Sequence, residues 1–327
     1  MALAKDKKIL LSGVKPTGRP HIGNYFGAIK QFVDLQDTYE SYVFIADYHA
    51  LTTLQNADEM RQNILDIALD YLAVGLDPKK MVLFKQSDVP QVCELAWIFN
   101  CITTVPYLQR AHAYKDAVAK GKEVSVGTFN YPMLMAADIL IQDADVVPVG
   151  QDQKQHVEYA RDTAEKFNRI FASTSSAQAN PVFKLPEPLI LKEVETVKGT
   201  DGQKMSKSYN NTIPLFATRS ELVELIMGIV TDSASGVPEN VYALHKLFRP
   251  ESALKTLYEA NKGHYKVLKE VLVEDMDAAL APMRSRRAEL AKDPQKVLKI
   301  LADGASKARV RAEEKMKLVR EKIGVAS

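Results

Sequence analysis

The 327-residue chain is short of the features that usually announce a function. It has two cysteines, Cys93 and Cys101, with no C-x-x-C pair and no histidine at ligand spacing. That argues against a zinc site or an iron–sulfur cluster and predicts two reduced, buried thiols. No apolar run approaches the roughly 20 residues of a membrane helix. The opening "MALAKDKKILLSG" has only a short apolar run after its lysines, too little for a signal-peptide core, so the expected location is the cytoplasm, away from membranes. Internal repeats and low-complexity tracts are absent. Neither common phosphate loop is present: there is no G-x-G-x-x-G, and although Gly13 and Gly18 have the outer spacing of a P-loop, Arg19-Pro20 replaces its Lys-Ser/Thr.

What is present is an ordinary globular composition, 46% hydrophobic and 26% charged, enough for one large domain with a satellite or for two domains. The net charge of +2 is unevenly spread: residues 215–327 hold 20 of the 43 basic side chains and 16 of the 41 acidic ones. The excess collects at "MRSRRAEL" and "KARVRAEEKMKLVREK". Either a nucleic-acid face or a solvated amphipathic helix fits such a pattern.

Short apolar runs alternate with helical periodicity through the first half. "KILLSG", "YVFIAD", "MVLFKQSD" and "DVVPVG" read as buried strands. "YFGAIKQFVDLQ" reads as a helix with Phe26, Ile29 and Val33 on one face, and "NADEMRQNILDIALDYLAVGLDP" as a helix capped by Asn56 and stopped near Gly75. "PMLMAADILIQ" and "QKQHVEYARDTAEKFNRIF" are further helices. The prediction is an α/β fold: a Rossmann-like doubly wound parallel sheet over residues 1–214, then an all-helical domain over 215–327, its last helix able to pack back on the first domain.

Ligands of open parallel sheets bind beyond the carboxyl ends of the strands. After the first strand stands "SGVKPTGRPHIGNYFGA". There His21 and Asn24 share one face of a first helical turn, and Gly23 lets a ligand approach the backbone. A helix start favours anions, so His21 and Asn24 fit donors for a triphosphate; helix capping fits them too. Far along the chain, "GTDGQKMSKSYNN" sets Lys204 and Lys207 among Gly, Ser and Asn. Alone, it fits a solvated surface loop as well as an anion site.

"HIGN" followed by "KMSKS" resembles the paired signature of class I aminoacyl-tRNA synthetases. With "ADYHALT", "YPMLMAADIL" and "VPVGQDQKQH" between them, the order resembles the bacterial-type tryptophanyl-tRNA synthetases, over residues 10 to about 210. "MAADIL" argues against the tyrosyl relatives. The resemblance implies activation of tryptophan with ATP, carried in with Mg2+, to an adenylate and pyrophosphate, then transfer to tRNA(Trp). It implies that Lys204, Met205, Ser206, Lys207 and Ser208 form a mobile loop over the phosphates, its Gly and Asn residues allowing the motion. Lys15, Pro16, Thr17, His21, Gly23 and Asn24 match the adenosine and phosphate site, and Gly150, Gln151 and Asp152 the opposite wall.

For the amino acid, the resemblance makes Asp138 the acceptor of the indole N–H, with Met135, Tyr131, His49, Gln153 and Gly13 around it. Read as bare residues, Met135 fits a core position better, Asp138 also fits an exposed helix residue, and His49 and Gln153 fit a structural histidine and a surface residue better; the site reading rests on the resemblance. Two departures stand out: Lys15 occupies a place where the family usually has Gln, and Leu11 one where an aromatic often flanks the tryptophan ring. The helical part resembles an anticodon-recognition domain, with "MRSRRAEL" or the last helix as sources of phosphate contacts, and a homodimer is expected. An RNA-binding paralogue without catalysis and a small nucleotidylyltransferase are the competing readings. Intact lysines and glycines in both loops argue against the first, the long helical extension against the second.

Overall fold

The computed structural model describes residues 7–121, 123–149, 154–172, 181–190, 196–231 and 237–326. Its first half runs β1 (Ile9–Val14), α1 (Ile22–Asn24), a π turn (Tyr25–Ile29), α2 (Lys30–Leu35), β2 (Glu40–Ile45), α3 (Asp47–Ala50), α4 (Ala57–Val74) and β3 (Met81–Lys85). Then come α5 (Gln91–Ile102), α6 (Val105–Leu108), α7 (His112–Ala119), α8 (Val126–Ile141), β4 (Val146–Val149), α9 (Lys154–Ile170) and β5 (Glu187–Ile190). Helices follow: α10 (Arg219–Met227), α11 (Glu239–His245), α12 (Glu251–Ala260), α13 (Tyr265–Ala291) and α14 (Pro294–Ile323). None of the described helices is long and apolar enough to cross a membrane.

The five strands pair in parallel in the order β3-β2-β1-β4-β5. Strand order reverses between β1 and β4, which opens a crevice at their carboxyl ends. Successive side chains alternate between faces. Tyr42 and Phe44 enter a core with α5, α8 and α9, while Val43 and Ile45 enter one with α2, α4 and α13. Strand β5, "EPLI", has no counterpart in the sequence expectations; it lies at the sheet edge, where the missing N–H of Pro188 is tolerated. The π turn also lay outside the sequence reading. It inserts a wide turn ahead of α2, and Ile29 and Phe32 are buried while Phe26 and Val33 pack at the margin.

One expectation fails at α5. Val92, Leu95, Ala96 and Phe99 form its inward face, so Cys93 and Cys101 are exposed rather than buried, beside a Trp97 that is 69% exposed.

The basic segments make many contacts within the protein. The arginines of "MRSRRAEL" have partners within the protein: Arg284 donates to the Ala217 carbonyl (3.0 Å) and pairs with Asp277. Arg286 donates to the Ala73 carbonyl (2.7 Å). Arg287 pairs with Asp66 and Asp70 on α4 and lies over the Phe216 ring. Arg284 and Arg287 are partly buried and need such acceptors, Arg286 is exposed, and all three fasten α13 to its neighbours. On α14, Arg309 reaches the Asp88 carbonyl, Arg311 Glu40, Lys315 Asp143, and Arg320 Glu94. Much of the basic excess therefore fastens α13 and α14 to their neighbours.

Helix α14 runs along the open edge at β3. Val297 and Leu301 join the core on one face, and Ala305, Ala308, Ala312, Met316 and Val319 the core on the other. The approach is close enough that a Cβ at Gly304 would lie 2.0 Å from the Leu83 carbonyl oxygen.

Candidate active site

The crevice is bounded first by the turn after β1. A Cβ at Gly13 would lie 2.4 Å from the Phe44 ring, so glycine lets strand and ring meet there. Buried Pro16 and a Thr17 N–H to Lys15 carbonyl bond (2.9 Å) shape the turn. His21 then caps α1 reciprocally: its Nδ1 accepts from the Asn24 N–H (3.2 Å), and the Asn24 Oδ1 accepts from the His21 N–H (3.1 Å). An accepting Nδ1 leaves the proton on Nε2 of a neutral ring. Asn24 likewise keeps its side-chain NH2 to give. Capping and ligand donation are thus compatible, since each side chain uses a different atom for each.

Burial, then the nearby Lys207 charge, pull the His21 pKa down to about 4. A folded pKa below the unfolded 6.5 means that the unfolded chain binds more protons between these values. Stability should therefore fall as pH drops from 6.5 towards 4, with a slope of at most roughly 1.4 kcal/mol per pH unit. Urea unfolding across that range checks it: His21→Asn, which retains a capping acceptor, should flatten the profile, and an unchanged slope would refute the assignment.

The lysine segment is tied to this same helix start. The Ile22 N–H donates to the Ile213 carbonyl (3.0 Å) and the Leu215 N–H to the Pro20 carbonyl (3.0 Å). Met205 is buried and packs near Gly23. Lys207 reaches across to donate to the Thr17 carbonyl (2.9 Å), while Lys204 is exposed in the bridge to Lys198. Ser206 and Ser208 share a hydroxyl–hydroxyl bond (2.8 Å). Asn211 anchors the base of the loop, its amide donating to Asp201 (2.7 Å) and the Lys204 carbonyl (3.0 Å) and its oxygen accepting from the Ser206 N–H (2.8 Å). At Gly199 a Cβ would collide with Asn211, and Gly202, at φ +81°, packs on Asn240. These Gly and Asn residues serve close approach and anchoring here.

Beside the β1 turn lies a cavity of about 600 Å³. Gly13, Lys15, His49, Tyr131, Met135 and Asp138 line it together with Leu11, Phe32, Phe44, Val147 and Val149. Tyr131 is hydrogen-bonded to His156, and the Lys15 ammonium lies 5.9 Å from the Tyr131 ring centroid, so Lys15 faces this cavity. Asp138 is 4% exposed. Its Oδ2 meets His49 Nε2 at 2.9 Å, and both of its oxygens accept from Gln86 Nε2 at 2.9 Å. Burial pushes the Asp138 carboxyl up, opposed by the hydrogen bonds and charge of His49 and by Gln86. An oxygen pair accepts about four hydrogen bonds, so one more donor can be taken.

Gln86 escaped the sequence reading. Its only signal was its position at the carboxyl end of a parallel strand. Gly150, Gln151, Asp152 and Gln153 lie outside the described residues. Among the described residues, no group of three or more His, Cys, Asp or Glu side chains gathers as a metal site.

A parallel sheet with a histidine-capped helix after β1, a lysine loop bonded to that helix start and a carboxylate-bearing cavity beside both is the architecture of a class I synthetase. The family model for class I tRNA synthetases (W and Y) matches residues 4–296, and the chain belongs to that family. The tryptophan–tRNA ligase of Fusobacterium nucleatum is 49% identical over 323 residues, covering 96% of this chain and 97% of that one. The structure of Campylobacter jejuni tryptophanyl-tRNA synthetase complexed with ADP and tryptophan superposes with a TM-score of 0.89 at 45% identity, covering 97% and 99%. That of Mycoplasma pneumoniae gives 0.81 at 28%, covering 98% and 99%. Within the family, the chain's place is among the bacterial-type tryptophanyl enzymes.

Proposed function

We propose that the protein joins tryptophan to tRNA(Trp) in two steps, with the residues gathered in the crevice in defined roles. A tryptophan carboxylate oxygen attacks the α-phosphorus of ATP, the bond to the bridging oxygen breaks, and pyrophosphate leaves. A terminal ribose hydroxyl of the tRNA then attacks the acyl carbon and AMP departs. The chemistry needs positioning and charge stabilisation more than proton transfer. Lys204 and Lys207 meet the phosphates, with Ser206 and Ser208 beside them. His21 Nε2–H and the Asn24 amide donate to the nucleotide at the start of α1. Mg2+ enters with ATP, held mainly by phosphate oxygens.

The observation that carries the reading is the buried Asp138 in an otherwise largely apolar cavity. Indole offers one N–H donor and no acceptor, so an accepting carboxylate reads it while apolar walls hold the rings. Lys15, where relatives usually have Gln, belongs to the cavity wall beside Tyr131 and fits the junction between the amino acid and the phosphates. Pyrophosphate exchange into ATP, run with tryptophan and with tyrosine, tests this. Exchange with tryptophan alone supports it, and exchange with tyrosine alone overturns it.

Residues 1–214 are assigned the activation chemistry and 215–327 anticodon recognition, in the cytoplasm. A homodimer is proposed through the outer face of α5, where Trp97 is 69% exposed between the exposed Cys93 and Cys101, and the start of α6, where Val105 is 58% exposed. Large apolar groups grouped in this way mark interaction surfaces. Sedimentation should show a dimer that Trp97→Asp converts to monomer; a wild-type monomer at micromolar concentration would refute the proposal.

A further inference from the structure

Gln86 begins the short 3-10 turn Gln86–Asp88 that follows β3, and it is 1% exposed. Its Oε1 accepts from the Tyr48 N–H (3.1 Å) and the His49 N–H (3.4 Å) at the start of α3. A flipped amide would set its NH2 against two backbone N–H groups, so these bonds fix which end faces Asp138. The NH2 then meets both Asp138 oxygens at 2.9 Å. His49 takes a further site on Oδ2, so the remaining acceptor capacity lies on Oδ1. Gln86 is not part of the cavity wall; whatever it does for a ligand passes through Asp138.

We propose that Gln86 is a positioning residue for tryptophan recognition, holding the Asp138 carboxylate ionised and turned so that a free lone pair on Oδ1 faces the indole N–H. This rests on the tryptophan reading of the cavity. A lone buried carboxylate would favour its neutral form, which offers a proton where an acceptor is needed. The groups around Asp138 that also bear on its charge are His49 and Asp47 on α3, Cys93 on α5, Lys15 after β1, Tyr131 on α8 and His156 on α9. Of these, His49 bonds the carboxylate directly and Asp47 acts against its charge, while the Cys93 thiol, pushed up by burial and by Asp138 itself, stays neutral. Gln86 is the one neutral group that donates to both oxygens, so its contribution does not itself titrate.

Two substitutions separate this role from simple packing. Gln86→Leu removes both donors, so Asp138 takes up a proton more readily and the KM for tryptophan should climb as pH falls. In Gln86→Glu the introduced carboxyl imitates the amide only when protonated, one oxygen accepting and one O–H donating, so the KM for tryptophan should climb as pH rises. Exchange assays on wild type and both variants between about pH 6 and 8.5 should show at least a roughly tenfold change in that KM at the unfavourable end, with opposite slopes for the two variants. The KM for ATP and kcat should stay near wild type. Circular dichroism melts report folding, and if Gln86→Leu does not fold, the slope of Gln86→Glu carries the test. Flat tryptophan profiles, or a KM for ATP moving in step, would overturn the inference while leaving the enzyme's identity intact. Wild-type exchange driven by tyrosine alone would instead overturn the functional reading, and this inference with it.

Discussion

Lys207→Ala is expected to lower tryptophan-dependent pyrophosphate exchange by about 10²–10³-fold, the range seen when one preorganised charge-stabilising donor is removed. The loss should fall on kcat and the KM for ATP, with the KM for tryptophan nearly unchanged, because the lysine reaches the Thr17 carbonyl at the β1 turn. Stability should scarcely move. The side chain is exposed and makes one hydrogen bond to a carbonyl that water can serve, so the cost is within about 0.5 kcal/mol. Single-turnover kinetics beside a urea melt checks both parts. Activity within threefold of wild type would remove Lys207 from the phosphate site.

The second large effect is expected at Asp138. In Asp138→Asn the shape is kept, but one accepting oxygen becomes an NH2 facing the amide of Gln86 and the ring of His49. At least one donor then meets a donor, and the indole N–H competes for a single oxygen. Hydrogen bonds to a charged group contribute about 1.5–3 kcal/mol each, so kcat/KM for tryptophan should fall by about 10²-fold. An analogue with sulfur in place of the indole N–H makes the assignment sharper. Wild type should discriminate strongly against it, because a site built for a donor is left with an unpaired buried acceptor. The variant should discriminate little. Discrimination that survives in Asp138→Asn would show that the acceptor lies elsewhere.

The parallel sheet was legible because its strands are buried on both faces and read as unbroken apolar runs, as "ILL" in β1 and "YVFI" in β2 do. The cap of α1 was legible too, since His21 and Asn24 act within one turn. What escaped depends on partners distant in sequence. Nothing in "MRSRRAEL" tells that Arg287 will meet Asp66 and Asp70, 221 and 217 residues earlier. A stretch of arginine on an amphipathic helix looks the same whether its acceptor is RNA or α4. Gln86 escaped for the same reason: an amide carries no motif, and its meaning comes from Asp138, 52 residues on. The glycines of the lysine loop likewise carry no sign of their partners. Gly199 and Gly202 turn out to admit Asn211 and Asn240, which only a fold can reveal.

The path of α14 bears on how the protein is made. The β3 edge and both cores receive side chains from Val297 to Val319, a segment that leaves the ribosome long after β3. Until then, the strand whose Leu83 carbonyl receives Gly304 is an open edge, able to pair with another nascent chain. Completion of the synthetase half thus waits for the last helix, and the contacts that close it are separated by more than 200 residues, an arrangement that slows folding and prolongs exposure. The crevice and α14 should therefore become protease-resistant together, as one event.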